Sequence, residues 1–362
     1  MLAIQVVVFV LGLLVVLRSI LSAIRTFVVP RGAWDAISSF EFQVFWRLFR
    51  GLARPRLGYE RRDAIMALFA PIALVVLPLV LLGLILAGFA AMYWAIEPTT
   101  IEAAARDSGS ALLTLGFAPV QGWVALILSF LEAAIGLILV ALLIAYLPTM
   151  YGAFQRREAF VAKLDVRAGR PASGTELLIR FWTTGSQDMV VAALVELWTE
   201  AETWFIDLDE SNTTLAALPF YRSPGSGRSW ITAAGAILDG AALLRSTVDV
   251  PAEARADLAI TAGYTALDGI AGFFRLPTIG RPARAGDPIR VSRAEFDAAA
   301  QELAAHGLPV RIDRDQAWLD FAGWRVNYED ALLRLSSLVL APEVRWNDTA
   351  RRQAARGLAA SS

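Results

Sequence analysis

The sequence predicts an all-α membrane protein followed by a helical domain. Of its 362 residues 56% are hydrophobic, and the apolar excess lies mostly before residue 155. Three apolar segments in that half reach the ~20 residues that a membrane-spanning helix needs. In the second half, apolar residues recur mostly with the 3.6-residue period of a helix.

The N-terminal segment, residues 1–30, is predicted to be the first transmembrane helix. Residues 6–17 form an apolar run without a charge. A cleavable signal peptide has a basic start, which Met1–Gln5 lacks, so we expect the helix to be retained.

Residues 31–63 are predicted to be a cytoplasmic, amphipathic segment. Arginines outnumber acidic residues here, which marks the cytoplasmic side of a membrane protein. Apolar residues at helical spacing favour a helix, lying either on the membrane surface or on the cytosolic domain: Trp34, Ile37, Phe40, Val44, Phe45, Leu48, Phe49 and Leu52.

Residues 64–96 and 120–147 are predicted to be the second and third spans. Pro71 and Pro78 are expected kink points in the former, and Tyr93 and Trp94 are expected in an outer aromatic belt. Pro148 is expected to close the third span on the cytoplasmic side. Basic residues flank both inner ends, so the N-terminus is expected outside and the C-terminal domain inside.

The loop between these spans is acidic and holds a candidate half-helix. The residues from Thr99 to Glu102 match a capping box, which predicts a helix over 100–113. Such a helix is too short to span a bilayer and suits a re-entrant element that ends inside it. Its C-terminal dipole would favour a cation.

The half-helix leads into Thr114-Leu115-Gly116-Phe117. Together with its two flanking helices, over about residues 64–152, this tetrad resembles the two-helix pore module of potassium channels. The resemblance implies that the carbonyls of the tetrad, with the Thr114 hydroxyl, bind K⁺ along a filter at 114–118, within a module covering 64–154. It implies a homotetramer, because the chain carries one such unit. Ala118 and Pro119 stand where the family has Gly and usually Asp, which leaves a less selective cation pore open.

Four residues in or next to the last span are candidates for tuning or gating this pore. Glu132 is an ionisable residue inside the membrane, where it faces a cavity or a partner rather than lipid. It either faces the pore or, as we favour, braces Ser110 or Thr114 from behind. Gly136 is either a hinge or a site of close helix packing. Pro148 marks a possible point of closure, and Ala118 the outer end of the filter.

The remaining chain is predicted to be a linker, 155–175, and an all-helical cytosolic domain, 176–362. A breaker-rich loop is expected at 276–288 and a lone strand at 310–312. Helices are expected over 176–184, 187–206, 229–247, 252–274, 293–306 and 327–340. The single histidine, His306, is expected at a helix end, where a capping role is favoured over a catalytic one.

Composition narrows the function further. There is no cysteine, no basic tract that would grip nucleic acid, and no constellation of catalytic residues, so we expect neither an enzyme nor a cofactor. The expected partners are copies of the chain, the lipid bilayer and K⁺ or another monovalent cation; a ligand of the cytosolic domain is not indicated. The alternative is a non-conducting, channel-like signalling or scaffold protein. Arginine dominates over lysine, which is typical of GC-rich genomes, so a prokaryotic inner membrane is expected.

Overall fold

The structure, a computed structural model, describes residues 2–29, 35–54, 56–97, 100–225, 227–251, 254–277 and 286–342. Within these ranges the chain is helical, and its only β-structure is an isolated bridge between Val248 and Val310. The helices are α1 (Leu2–Phe27), α2 (Ala36–Leu52), α3 (Tyr59–Ala67), α4 (Phe69–Ile96), α5 (Ile101–Leu112), α6 (Trp123–Ala168), α7 (Gly174–Trp182), α8 (Gln187–Thr214), α9 (Trp230–Thr247), α10 (Ala254–Phe273), α11 (Arg293–Ala305), α12 (Arg314–Arg325) and α13 (Glu329–Val339), with a 3₁₀ turn at Leu218–Phe220.

The chain divides into two compact units. The first comprises Met1–Ala153 and Thr214–Tyr221, and the second comprises Phe154–Thr213 and Arg222–Ser362. The boundary after Ala153 falls inside α6. A return segment of the chain, residues 214–221, therefore belongs to the first unit although its sequence neighbours belong to the second.

Three helical stretches of the first unit are long and apolar enough to cross a membrane. They are Leu2–Phe27, Tyr59–Ile96 and Trp123–Ala168. The chain is therefore an all-α membrane protein, as the composition predicts.

The second span starts later than its apolar run. A break at Leu68 separates α3 from α4, three residues before Pro71. Proline has no N–H to donate, and its ring crowds the preceding turn, so a helix readily starts anew around it. Pro78 lies inside α4 without ending it.

The third helix contradicts two expectations drawn from the sequence. Pro148 does not close it, since α6 continues through this proline to Ala168. The segment predicted as a linker, 155–175, is therefore helical over its first fourteen residues. The reason is a buried face, because Phe160, Val161, Leu164 and Ala168 follow helical spacing and are at most 5% exposed.

Asp35 ties α1 to α2. Its carboxylate accepts a hydrogen bond from the Ser22 hydroxyl (2.5 Å), forms an ion pair with Arg18 (2.6 Å), and accepts the Ile37 N–H (2.9 Å) as the N-cap of α2. Burial alone would raise the pKa of Asp35, but hydrogen bonds from Ser22, Arg18 and the α2 backbone outweigh it and leave the pKa below its usual value.

Two faces of α2 are apolar, and only one of them is covered. Phe42, Trp46 and Phe49 pack on Phe69 of α4, and Phe220 of the return segment joins the same aromatic cluster. The other face remains exposed in the chain and carries Phe40, Val44, Leu48 and Leu52. Trp34, predicted on this helix, lies outside the described residues.

The second unit is built around α9, which is buried along nearly its whole length and contacts α7, α10, α12 and α13. Asp239 of α9 accepts hydrogen bonds from Arg325 and from the Tyr328 hydroxyl (2.7 Å). Arg325 in turn pairs with Glu329 (2.9 Å). This enclosed network joins α9 to the end of α12 and the start of α13.

Six helices of this unit match the predicted segments, but α12 was not predicted. Asp313 caps α12, and Ala317 and Phe321 are its fully buried residues. Residues 310–312 form no strand, only the single bridge at Val310. His306 is the C-cap of α11, as expected. Most of the predicted loop at 276–288 lies outside the described residues.

Glu41 of α2 is a buried titratable group of the first unit. It is 7% exposed, and burial raises the pKa of its carboxyl from 4.5 to about 7. Folding thus favours the protonated form, so the stability that Glu41 contributes is lost as pH rises from 4.5 to about 7. We expect the unfolding temperature in detergent to fall over this range, and Glu41→Gln to flatten the fall.

Glu60→Gln is the matched control, because Glu60 is an exposed carboxylate on the neighbouring helix α3. It should leave the pH profile unchanged. An identical slope in the wild type and in Glu41→Gln would contradict the assignment.

Candidate functional site

The candidate site is the end of α5 and the irregular segment that follows it. Thr100 caps α5 by accepting the Ala103 N–H (3.2 Å), close to the predicted start. Ala104, Ser108 and Leu112 recur every four residues and are buried, so they form the face that packs into the first unit. α5 is thereby fixed against α4 and α6.

The helix ends in a Schellman motif. The Leu115 N–H donates to the Ser110 carbonyl (2.9 Å) and the Thr114 N–H to the Ala111 carbonyl (3.0 Å), with Thr114 left-handed at φ 53°. Glycine is usual at that position. A residue with a Cβ costs about 1–2 kcal/mol there, so Thr114 is a strained choice.

The segment turns its N–H groups toward Ser110. Besides Leu115, the Gly116 N–H donates to the Ser110 carbonyl (3.4 Å), and the Ala118 N–H donates to the Ser110 hydroxyl (3.0 Å). By contrast, the carbonyls of residues 114–117 accept no hydrogen bond from the part of the chain that the structure describes. The N–H groups of residues 114, 115, 116 and 118 are therefore paired, and the carbonyls of residues 114–117 remain available.

The side chains of the segment are open in the single chain. Leu115 is 60% and Phe117 is 61% exposed, and Gly116 has φ 71° with open space around it. The predicted sites at Thr114, Leu115, Gly116 and Phe117 thus form one continuous exposed strip, and the predicted site Ala118 beside it is half-buried. Exposed apolar side chains as large as Leu115 and Phe117 mark a surface that lipid or another protein covers.

Glu132 is fully buried and reaches α5, but not at the predicted residues. Its Oε1 lies 2.5 Å from the Ser108 hydroxyl, and the same hydroxyl lies 3.0 Å from the Leu86 carbonyl of α4. The expectation of a bond to Ser110 or Thr114 is wrong. Ser108 and Leu112 face Glu132 and Gly136 in register, whereas Ser110 points to the segment that follows.

Tyr93 belongs to this polar cluster and not to an outer belt. It is 5% exposed, and its hydroxyl interacts electrostatically with Glu132 without a well-formed hydrogen bond. Sequence reasoning missed Ser108. The available signal was a serine flanked at four-residue spacing by Ala104 and Leu112 on the apolar face of a short helix.

Gly136 is a point of close packing. A Cβ built there would lie 2.3 Å from the Leu112 carbonyl oxygen, so α6 approaches the α5 terminus backbone to backbone. Pro148 differs, being exposed inside α6. These two predicted gating residues therefore have opposite surroundings.

We expect Gly136→Ala to destabilise the first unit by about 1–3 kcal/mol, because the Leu112 carbonyl is backbone and has to move away. Gly83→Ala is the matched control. Gly83 lies inside α4 with nothing within 4 Å of an added Cβ, so alanine should be neutral or stabilising there. Thermal unfolding in detergent measures both, and equal effects would contradict the packing role.

Comparison of the chain with protein-family models, curated proteins and solved structures gave no match. The interpretation of the site therefore rests on its own residues and geometry.

Proposed function

We propose that the chain is a subunit of a cation channel, with potassium as the expected ion. In this proposal the carbonyls of Thr114, Leu115, Gly116 and Phe117 from four copies line the ion path. Rings of backbone carbonyls can replace the hydration shell that a cation sheds on entering a narrow pore.

The observation that carries the proposal is the polarity of the segment. Its N–H groups are held at the α5 terminus, mainly by Ser110, while its carbonyls are unpaired among the described residues. These carbonyls are exposed in the single chain, and where neighbouring copies would enclose them they cost free energy unless a ligand or water meets them. A cation on a symmetry axis would be such a ligand, because the carbonyl oxygens carry partial negative charge.

Two further features agree with this role. The α5 C-terminus directs the negative end of its helix dipole toward the same region. The exposed side chains of Leu115 and Phe117 offer apolar surface that neighbouring copies would cover. Between the two predicted gating points, we favour Pro148, because bending at Gly136 would disrupt its contact with Leu112.

A non-conducting membrane signalling or scaffold protein is the second candidate. The observation that favours it is the Schellman motif, since an ordinary helix terminus would hold Thr114 and Leu115 in the same way. Ala118 and Pro119 in place of Gly and Asp also agree with a segment that has lost conduction.

Ion flux separates the two candidates. Purified protein in liposomes should pass K⁺ or Rb⁺ and be blocked by Ba²⁺. Gly116→Asp should abolish this flux, because it places a strained residue and a charge among the carbonyls.

Gly122→Asp is the matched control. Gly122 also has a positive φ, 79° against 71° for Gly116, and also has open space around it, but it lies outside the four-residue strip. It should retain flux. No flux under any condition, with monomeric or dimeric particles, would favour the scaffold.

A further inference from the structure

The Ser108 hydroxyl lies within hydrogen-bond distance of two groups that ordinarily accept. They are the Leu86 carbonyl at 3.0 Å and Oε1 of Glu132 at 2.5 Å. A serine hydroxyl has a single proton to donate, and a carbonyl has none. Both contacts are satisfied together when Ser108 donates to Leu86 and Glu132 carries the proton that it donates to Ser108.

Charges around Glu132 lead to the same protonation state. Its side chain is fully buried. On α1 the charged residues Arg18 and Arg25 are directed at Asp35, and α4 has no charged residue. On α5, Arg106 is 60% exposed and lies 3.9 Å from Asp107. Without a neighbouring cation, an ionised carboxylate at this depth would cost several kcal/mol.

We infer that Glu132 is a proton-binding site behind α5, occupied in this conformation, with its acid proton donated to Ser108 and the Ser108 proton donated to Leu86. This directed chain links α6, α5 and α4. Glu132 can bind this proton whether or not the protein conducts ions.

The second carboxyl oxygen of Glu132 connects the proposed proton site to a cavity by way of Tyr93. The Tyr93 hydroxyl interacts with Glu132, although neither this hydroxyl nor Oε2 of Glu132 makes a hydrogen bond of ordinary geometry among the described residues. Tyr93 also lines a cavity of about 200 Å³, together with Arg106, Asp107 and Gln121. Asp107 is the other titratable group that acts on Tyr93. Tyr93 therefore lies between this cavity and Glu132, on the route that a proton would take to the carboxyl group.

Infrared difference spectroscopy of the full chain in lipid at neutral pH tests the site directly. The chain used as wild type here and all its variants carry Glu41→Gln, because the buried Glu41 carboxyl would add a second glutamic acid band. The expected result is a C=O stretching band of a protonated carboxylic acid that shifts when glutamate carboxyl groups are labelled with ¹³C. Glu132→Gln should remove this band. Glu102→Gln, at an exposed position of α5, should leave it in place.

Two variants keep the test decisive if Glu132→Gln fails to fold. Ser108→Ala removes the acceptor of the acid proton, so the band should persist at a shifted frequency. Tyr93→Phe should slow the shift of the band after transfer to D₂O. Absence of a glutamic acid band in the wild type, its survival in Glu132→Gln, an unmoved band in Ser108→Ala, or unchanged exchange in Tyr93→Phe would overturn the inference.

Discussion

The structure depends on how a short helix ends inside an apolar unit. The last carbonyls of any helix lack partners within it, and between membrane-spanning helices water is scarce. α5 solves this with the Schellman turn at Thr114, while the Leu112 carbonyl packs against Gly136 of α6. These contacts hold the backbone of the short segment that follows Leu112.

Ser110 determines which backbone groups of the following segment are paired. Its carbonyl and hydroxyl together take three N–H groups from the following segment, at Leu115, Gly116 and Ala118. Because the backbone carbonyl and the hydroxyl of Ser110 accept these N–H groups, the carbonyls of residues 114–117 are left without a partner among the described residues. Ser108, two residues earlier, faces the opposite way and joins the buried cluster with Glu132. Two serines on one short helix thus serve different surfaces.

Local signals predicted the elements of the first unit better than their contacts. The cap at Thr100 and the apolar runs locate α5 and the starts of the spans within a few residues, because these features depend on neighbours in sequence. The partner of Glu132 could not be deduced, since it depends on the register between α5 and α6. Continuation of α6 past Pro148 was missed because packing of Phe160 and Leu164 outweighs the local cost of proline.

Particle symmetry is the most direct measurement of the central claim that residues 114–117 of several copies surround an ion path. Cryo-electron microscopy of the full chain in lipid discs should show four copies around one axis. The α5 C-termini should point at that axis, with density for an ion between the carbonyls of Thr114 and Phe117. Monomers, dimers, or an assembly in which this strip faces lipid away from the axis would contradict the account.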